Sequence, residues 1–361
     1  MILGRAEVAA TAGWIAAVQQ PDGMIPWFPG GHADPWNHVE AAMALTVAGR
    51  VAEARRAFRW LAAAQRPDGA WHQYYRGSPP QVEVALLDAN VTAYVATGVW
   101  HHLLATGDRA FAAEMAPVVE RALAFVLGLQ APGGEVVWAR HADGTPWSFA
   151  LLSASSSTCL SLRCGAALAG PAAPAGRTWV AAAGRLAEAI AHRPQAFLPK
   201  DRWSMDWFYP VLAGAVGGEG ARRRLAAGRD RFVMDGLGVR CVADQPWVTA
   251  AETSEAALAH LAAGLPEEAA TLLEWAQHLR APDGSYLTGM VHPGRASFPG
   301  GERTTYSAAA VLLANDALAH PSGATAHVFV TTGEDGAAVS ALPTHRGRAG
   351  WASRGGGGGA G

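Results

Sequence analysis

Gln65-Arg66-Pro67-Asp68-Gly69-Ala70-Trp71 closes the stretch VAEARRAFRWLAAAQ, in which Val51, Ala54, Phe58 and Leu61 form one apolar stripe at helical spacing. Pro-Asp-Gly then stops the helix and turns the chain. The same element recurs as Gln20-Pro-Asp-Gly before Trp27, as Gln130-Ala-Pro-Gly-Gly before Trp138, and as Leu279-Arg-Ala-Pro-Asp-Gly-Ser-Tyr286 after Gln277. Four copies of a helix stop make an internal repeat. Similar stripes run through Val118, Ala122, Phe125, Val126 and Leu129, and through Val180, Ala183, Leu186, Ala187 and Ile190.

Between these one-faced helices lie segments that are small, apolar all round and nearly uncharged, such as AAMALTVAG, LLSASSSTCLSLRCGAALA and YSAAAVLLANDALA. A helix without a polar face is buried on every side. The spacing predicts outer helices over about 5–19, 50–65, 109–130, 177–192, 218–228 and 265–279. It predicts inner ones over about 36–49, 88–105, 148–169, 205–217, 251–264 and 304–319. From Gln20 to Gln277 the repeat averages about 51 residues, a length that suits a helical hairpin. Six hairpins with apolar inner members point to an all-α fold, a closed (α/α)6 toroid with an inner and an outer ring of helices, over residues 1–320. An open solenoid would need more charge outside. Residues 321–361 read as a low-complexity, disordered C-terminal tail.

Composition narrows the function. Of 361 residues, 50% are hydrophobic and 16% charged, so the chain can bury a large core. A formal charge of −2 without a basic block argues against a nucleic-acid partner. Lys200 is the only lysine, which removes every P-loop and leaves one Schiff-base candidate. Cys159, Cys164 and Cys241 are too scattered for a disulfide framework or a zinc cluster, and fit a reducing compartment. Arg5 and Glu7 interrupt the N-terminal apolar stretch, and no segment is long and apolar enough to span a bilayer. The expectation is a soluble, cytoplasmic protein with a small-molecule or oligosaccharide substrate, no cofactor and no metal.

The Gln-x-x-Asp-Gly-x-Trp element at 65–71 resembles the QW repeat of terpenoid cyclases and related prenyltransferases, whose twelve-helix architecture is shared by six-hairpin glycosidases and sugar 2-epimerases. The resemblance covers about residues 5–320 and implies the toroid. It does not imply the isoprenoid reaction, because the Asp-x-Asp-Asp acid motif of class II cyclases is absent. The Asp-x-Cys zinc element of prenyltransferases is absent too: Ser157, Leu162 and Val239 stand two before the cysteines. One architecture hosts unrelated chemistries, so the site must decide.

In such a ring the first turns of the inner helices converge on one mouth. Those turns contain His32, Asp34, Trp36, Asn37, His38 and Glu40; Asp88, Asn90 and Tyr94; Trp147; Asp206, Trp207 and Tyr209; Trp247, Glu252 and Glu255; and Glu302, Arg303 and Tyr306. His72 and Tyr74 follow the clearest repeat. Each aspartate alone is explained as a helix N-cap. Carboxylates gathered with aromatic rings at one opening match a sugar site, where rings stack on sugar faces and acids bind hydroxyls or move protons.

Glycoside cleavage needs two carboxyls flanking one bond. Facing hairpins would pair Asp34 with Asp206, Asp88 with Glu252, and Asp143 with Glu302. Asp88 with Glu252 is preferred, because Asp88 opens a buried helix where desolvation raises its pKa. Trp36, Asn37, His38, His72, Tyr74, Asn90, Tyr94, Trp147, Trp207, Trp247, Glu255 and Tyr306 would line the substrate. The alternatives are a terpenoid cyclase or prenyltransferase-like protein, an epimerase with His38 and His72 as proton shuttles, and a non-catalytic glycan-binding toroid. His32, Asp34, His38 and Glu40 read as hydrogen-bonded mouth residues in preference to metal ligands. His101 and His102, adjacent on a helix, cannot share a site. Ser155, Ser156 and Ser157 lack a nucleophile elbow and read as close-packing residues.

Overall fold

The computed structural model describes residues 2–330 apart from Pro171. Its helices, in chain order, are α1 (Arg5–Val18), α2 (Pro35–Val47), α3 (Val51–Ala64), α4 (Ala89–Ala93), α5 (Val95–Thr106), α6 (Arg109–Leu127), α7 (Leu152–Ala169), α8 (Pro174–His192), α9 (Ser204–Leu212), α10 (Gly218–Phe232), α11 (Ala250–Ala262), α12 (Pro266–Trp275), α13 (Thr305–Ala319) and α14 (Ala324–Phe329). Short strands join them: β1 (His32–Ala33), β2 (Tyr74–Arg76), β3 (Gln81–Val84), β4 (Leu87–Asp88), β5 (Ala139–Arg140), β6 (Val233–Met234), β7 (Gly238–Val239), β8 (Trp247–Thr249), β9 (Leu287–Val291) and β10 (Ala296–Arg303).

The inner helices close a ring. α2 packs on α5, α5 on α7, α7 on α9, α9 on α11, α11 on α13, and α13 back on α2. Small side chains permit this crowding: a Cβ at Gly98 would strike Val39 and Phe58, and Ser155, Ser156 and Ser157 are all buried. The helices α1, α3, α6, α8, α10 and α12 surround the ring, and one apolar core runs from Leu3 to Phe329. The fold is the all-α toroid that the sequence pattern indicates. Val180, read as part of the buried stripe of α8, is exposed.

The repeated Gln-Gly turns fasten each outer helix to the next. Gln65 Nε2 donates to the Gly69 and Val118 carbonyls, both at 2.9 Å, while its oxygen accepts from Arg121. Gln130 does the same with Gly134, Ala182 and Arg185. In the first copy the stitching residue is Gln19, not Gln20; it binds the Gly23 and Glu53 carbonyls and accepts from Arg56. Spacing from the glycine therefore fixes the register: the glutamine always stands four residues before it. Gly69 has φ +89°, and a Cβ there would lie 2.2 Å from the Arg121 carbonyl oxygen. In the last copy Arg280 takes the glutamine's place, its guanidinium reaching the Glu7 carbonyl, and Gly284 backs onto Ala10 of α1, which closes the outer ring.

Two three-stranded sheets stand at the mouth, β1-β2-β3 and β8-β9-β10. The opposite end is closed by α14, which packs on α5, α11 and α13. Thr325 donates to Asp316 and meets His101 Nε2 at 3.1 Å. Residues 324–329 thus correct the expectation of a disordered tail from 321; the remainder of that tail lies outside the described residues.

Candidate active site

Asp34 and Asp88 are built as N-caps, and both are buried. Asp34 accepts from the Asn37 backbone and side chain and from the Trp27 indole at 2.6 Å. Asp88 accepts from the Asn90 and Val91 amides and from the Trp138 indole. These donors favour the charged form, but burial outweighs them: Asp34 is shifted upward, and Asp88 is pushed up to about 6, with the charge of Asp34 adding to the rise. Glu252, in the first turn of α11, is half-buried; burial raises its pKa against the Thr249 hydroxyl.

Aromatic panels stand around these acids. Trp27, His32, Tyr74 and Tyr306 surround Asp34, with Trp27 5.1 Å from Tyr306 and His32 stacked on Tyr74 at 4.4 Å. Trp138, Trp147 and Phe149 cluster beside Asp88. Trp247 stacks on Phe298 of β10 at 4.5 Å. The buried Asn90 Oδ1, Trp147 Nε1 and His32 Nε2 find no partner among the described residues, so the mouth offers both donors and acceptors.

Each of the six inner helices carries one residue six places beyond its cap. These are Glu40, Tyr94, Ser157, Tyr209, Glu255 and Ala310, following caps Asp34, Asp88, Leu151, Trp203, Thr249 and Thr304. The first five line one small cavity, with Phe329 of α14. Tyr209 Oη donates to Glu255 at 2.6 Å, and Trp36 stacks on Tyr94 just above. Burial holds Glu40 and Glu255 well above the ordinary carboxylate range, with the charge of Glu255 adding to the rise of Glu40 and that of Glu252 to the rise of Glu255.

Several expected site residues lie elsewhere. Asp206 accepts from the Ser153 amide and, with Trp207, lines a groove on the outside of the ring between α8 and α10. Trp207 donates to the Arg224 and Leu225 carbonyls of α10 and stacks on Phe232. The pairing of Asp34 with Asp206 is therefore not formed. Asp143 is exposed on a turn, which removes its pairing with Glu302. His38 faces α3, accepting from the Ile25 amide and meeting the Ala57 carbonyl at 2.9 Å. Burial drops its pKa to about 4, while His72 contacts Arg66 and the Ala85 carbonyl. The two histidines form no shuttle. Trp71 is wholly buried and donates to the Leu61 carbonyl, a packing role. His101 and His102 point to Thr325 and Thr46 respectively. Among the described residues no group of three or more metal-ligating side chains gathers.

Trp36, Asn37, Tyr74, Asn90, Tyr94, Trp147, Trp247, Glu255 and Tyr306 do belong to the mouth or the tier below it. Trp27 and Trp138 are also part of this region and escaped the sequence reading as site residues, while Glu40 and Tyr209, read there as residues of the mouth turns, line the tier below. A signal existed for the two tryptophans: each stands four residues after the turn glycine, at Gly23 and Gly134, and each donates to a capping aspartate.

No family model matches the chain. Over 308 residues it is 52% identical to the MMP endo-(1,4)-3-O-methyl-alpha-D-mannosidase of Mycolicibacterium hassiacum, with 85% of each chain covered. Among solved structures, a glycosidase variant in complex with glucose superposes with a TM-score of 0.69 at 16% identity, covering 87% of this chain and 98% of that one. A D-mannose isomerase gives 0.64 at 12% identity, covering 86% and 96%. A rhamnosidase from Klebsiella oxytoca with rhamnose bound gives 0.62 at 16%, covering 85% and 63%. At these identities the structures share the fold alone. The close relative carries the assignment further: with glycoside hydrolase-type activity, the chain belongs to the family of the Mycolicibacterium hassiacum endo-mannosidase.

Proposed function

We propose that this chain cuts internal α-(1,4) bonds of a 3-O-methylated mannose polymer, using Asp88 and Glu252 as its carboxyl pair. The observation that carries the substrate is the 52% identity to an enzyme named for that bond and sugar. Support for the pair is chemical. Asp88, held at about 6 by burial, is suited to give a proton to the leaving oxygen. Glu252 is partly open at the mouth, where it would activate water. Aromatic panels on either side suit a chain whose methyl groups enlarge its apolar faces.

A second reading exchanges Asp88 for Asp34, because the charges of Asp34 and Glu252 both act on Tyr306 and on Glu40. The buried acids Asp34 and Asp88, with the half-buried Glu252, support hydrolysis over isoprenoid chemistry, which favours an apolar cavity. The outward-turned His38 speaks against an epimerase. Three buried, unpaired cysteines support action in the cytoplasm; among the described residues no helix is long and apolar enough to cross a membrane.

Incubation of the purified protein with methylated α-(1,4)-mannose oligomers, followed by mass spectrometry, tests the assignment. Shortened oligomers from internal cuts are expected. Intact oligomers, or interconverted monosaccharides, would overturn it.

A further inference from the structure

The tier below the mouth contains two polar groups that the fold itself leaves unused. Glu40 is 3% exposed and Tyr94 2% exposed. Both face the same cavity, and neither the Glu40 carboxyl nor the Tyr94 hydroxyl has a hydrogen-bond partner among the described residues. Their neighbours at this level are engaged: Tyr209 with Glu255, and Ser157 with the Trp36 indole at 3.3 Å. A buried polar group is normally paired, so two orphans aimed at one space mark a place for a third group. The space itself is about the size of one water molecule. It therefore admits a single oxygen, not a sugar ring.

We propose that this tier is a subsite for one hydroxyl of the bound sugar, held between the Glu40 carboxyl and the Tyr94 phenol beneath Trp36. The inference rests on the reading that the chain binds mannose units. Trp36 stacks on Tyr94 at 4.6 Å and tilts toward Tyr209 at 6.4 Å, so a sugar resting in this aromatic collar lies directly above the tier. With Glu255 close by and water excluded, Glu40 keeps its proton and donates; the hydroxyl returns its own proton to the second carboxyl oxygen. Glu40 thus orients the sugar, while bond cleavage stays with the carboxyls at the mouth.

Calorimetric binding of methyl α-D-mannoside and each of its monodeoxy analogues decides the matter, measured on wild type, Glu40→Gln, Glu40→Leu and Tyr94→Phe, with melting curves to confirm folding. One deoxy analogue is expected to bind wild type about tenfold more weakly than the parent sugar. That difference should vanish in Glu40→Leu and partly return in Glu40→Gln, which restores a neutral donor. Equal losses for every analogue in wild type and Glu40→Leu would overturn the subsite, as would wild type that binds no mannoside. A protein that binds through Glu40 yet leaves methylated oligomers uncut would sink the hydrolase reading alone. Hydrolysis and binding unaltered in Glu40→Leu would sink the subsite alone, leaving the tier to a structural water.

Discussion

Gln65 Nε2 sits 2.9 Å from the Val118 carbonyl of the neighbouring outer helix, and the same amide holds its own turn through the Gly69 carbonyl. One side chain thereby joins two hairpins, and its oxygen takes Arg121 from the same helix. The repeat is a fastening between adjacent outer helices. Its glutamine and glycine make this joint, while the tryptophans that follow two of its copies, Trp27 and Trp138, reach the mouth and donate to Asp34 and Asp88.

Gly69→Ala should therefore destabilise the fold by about 2 kcal/mol or more, since it adds both a left-handed alanine and a collision with the Arg121 carbonyl. Gln65→Ala leaves buried carbonyls unpaired and should cost about 1–3 kcal/mol. Urea unfolding measures both, and turnover of the surviving folded fraction should match wild type.

Trp207→Ala is expected to lower stability by about 3–5 kcal/mol, because the indole fills the space against Phe232 and Gly228. Asp206→Asn should change kcat by less than about threefold, as its carboxyl faces the outer groove. Chemical unfolding and steady-state kinetics distinguish these from mouth variants. A kcat loss above a hundredfold in Asp206→Asn would return Asp206 to the catalytic set.

The proton on Asp88 sets a direction for pH. Its folded pKa is raised to about 6, so the acid form dominates below that value and is lost as pH rises through it. If Asp88 is the acid, kcat/KM of wild type should fall about tenfold per unit on the alkaline side of 6. A profile that stays flat to pH 8 would assign the acid elsewhere, with Asp34 the next to examine.

Glu255 provides a stability test. Burial, with the repulsion of Glu252, raises its folded pKa above the ordinary 4.5, despite the hydrogen bond from Tyr209. A raised carboxyl pKa means that the folded state holds a proton the unfolded chain releases. Stability is then greatest below 4.5 and declines as pH rises toward the folded value. Glu255→Gln removes this penalty, so its melting temperature should gain on wild type between pH 5 and 8. A constant difference across that range would show that the folded state does not hold the Glu255 proton.

The ring was readable because apolar stripes and uniformly small inner helices leave few other ways to bury so much surface. Predicted bounds such as 5–19 and 304–319 fall within a residue of α1 and α13. The mouth was only partly readable. Asp88 and Glu252 could be picked out as interior acids, whereas Asp206 could not be rejected: its outward turn comes from the Ser153 amide of α7, a contact with no local signature. Glu40 was legible only as a residue of the mouth; its place on a common cavity with Tyr94, Ser157, Tyr209 and Glu255 depends on how four other helices pack and has no local signature. The strands β2, β3, β9 and β10 went unseen, being set between helices by tertiary pairing.

The most direct measurement is kcat of Glu252→Gln on methylated α-(1,4)-mannose oligomers, beside a melting curve showing an intact fold. A loss of at least about a thousandfold is the result this structure calls for. Turnover within tenfold of wild type would contradict it and remove Glu252 from the centre of the reaction.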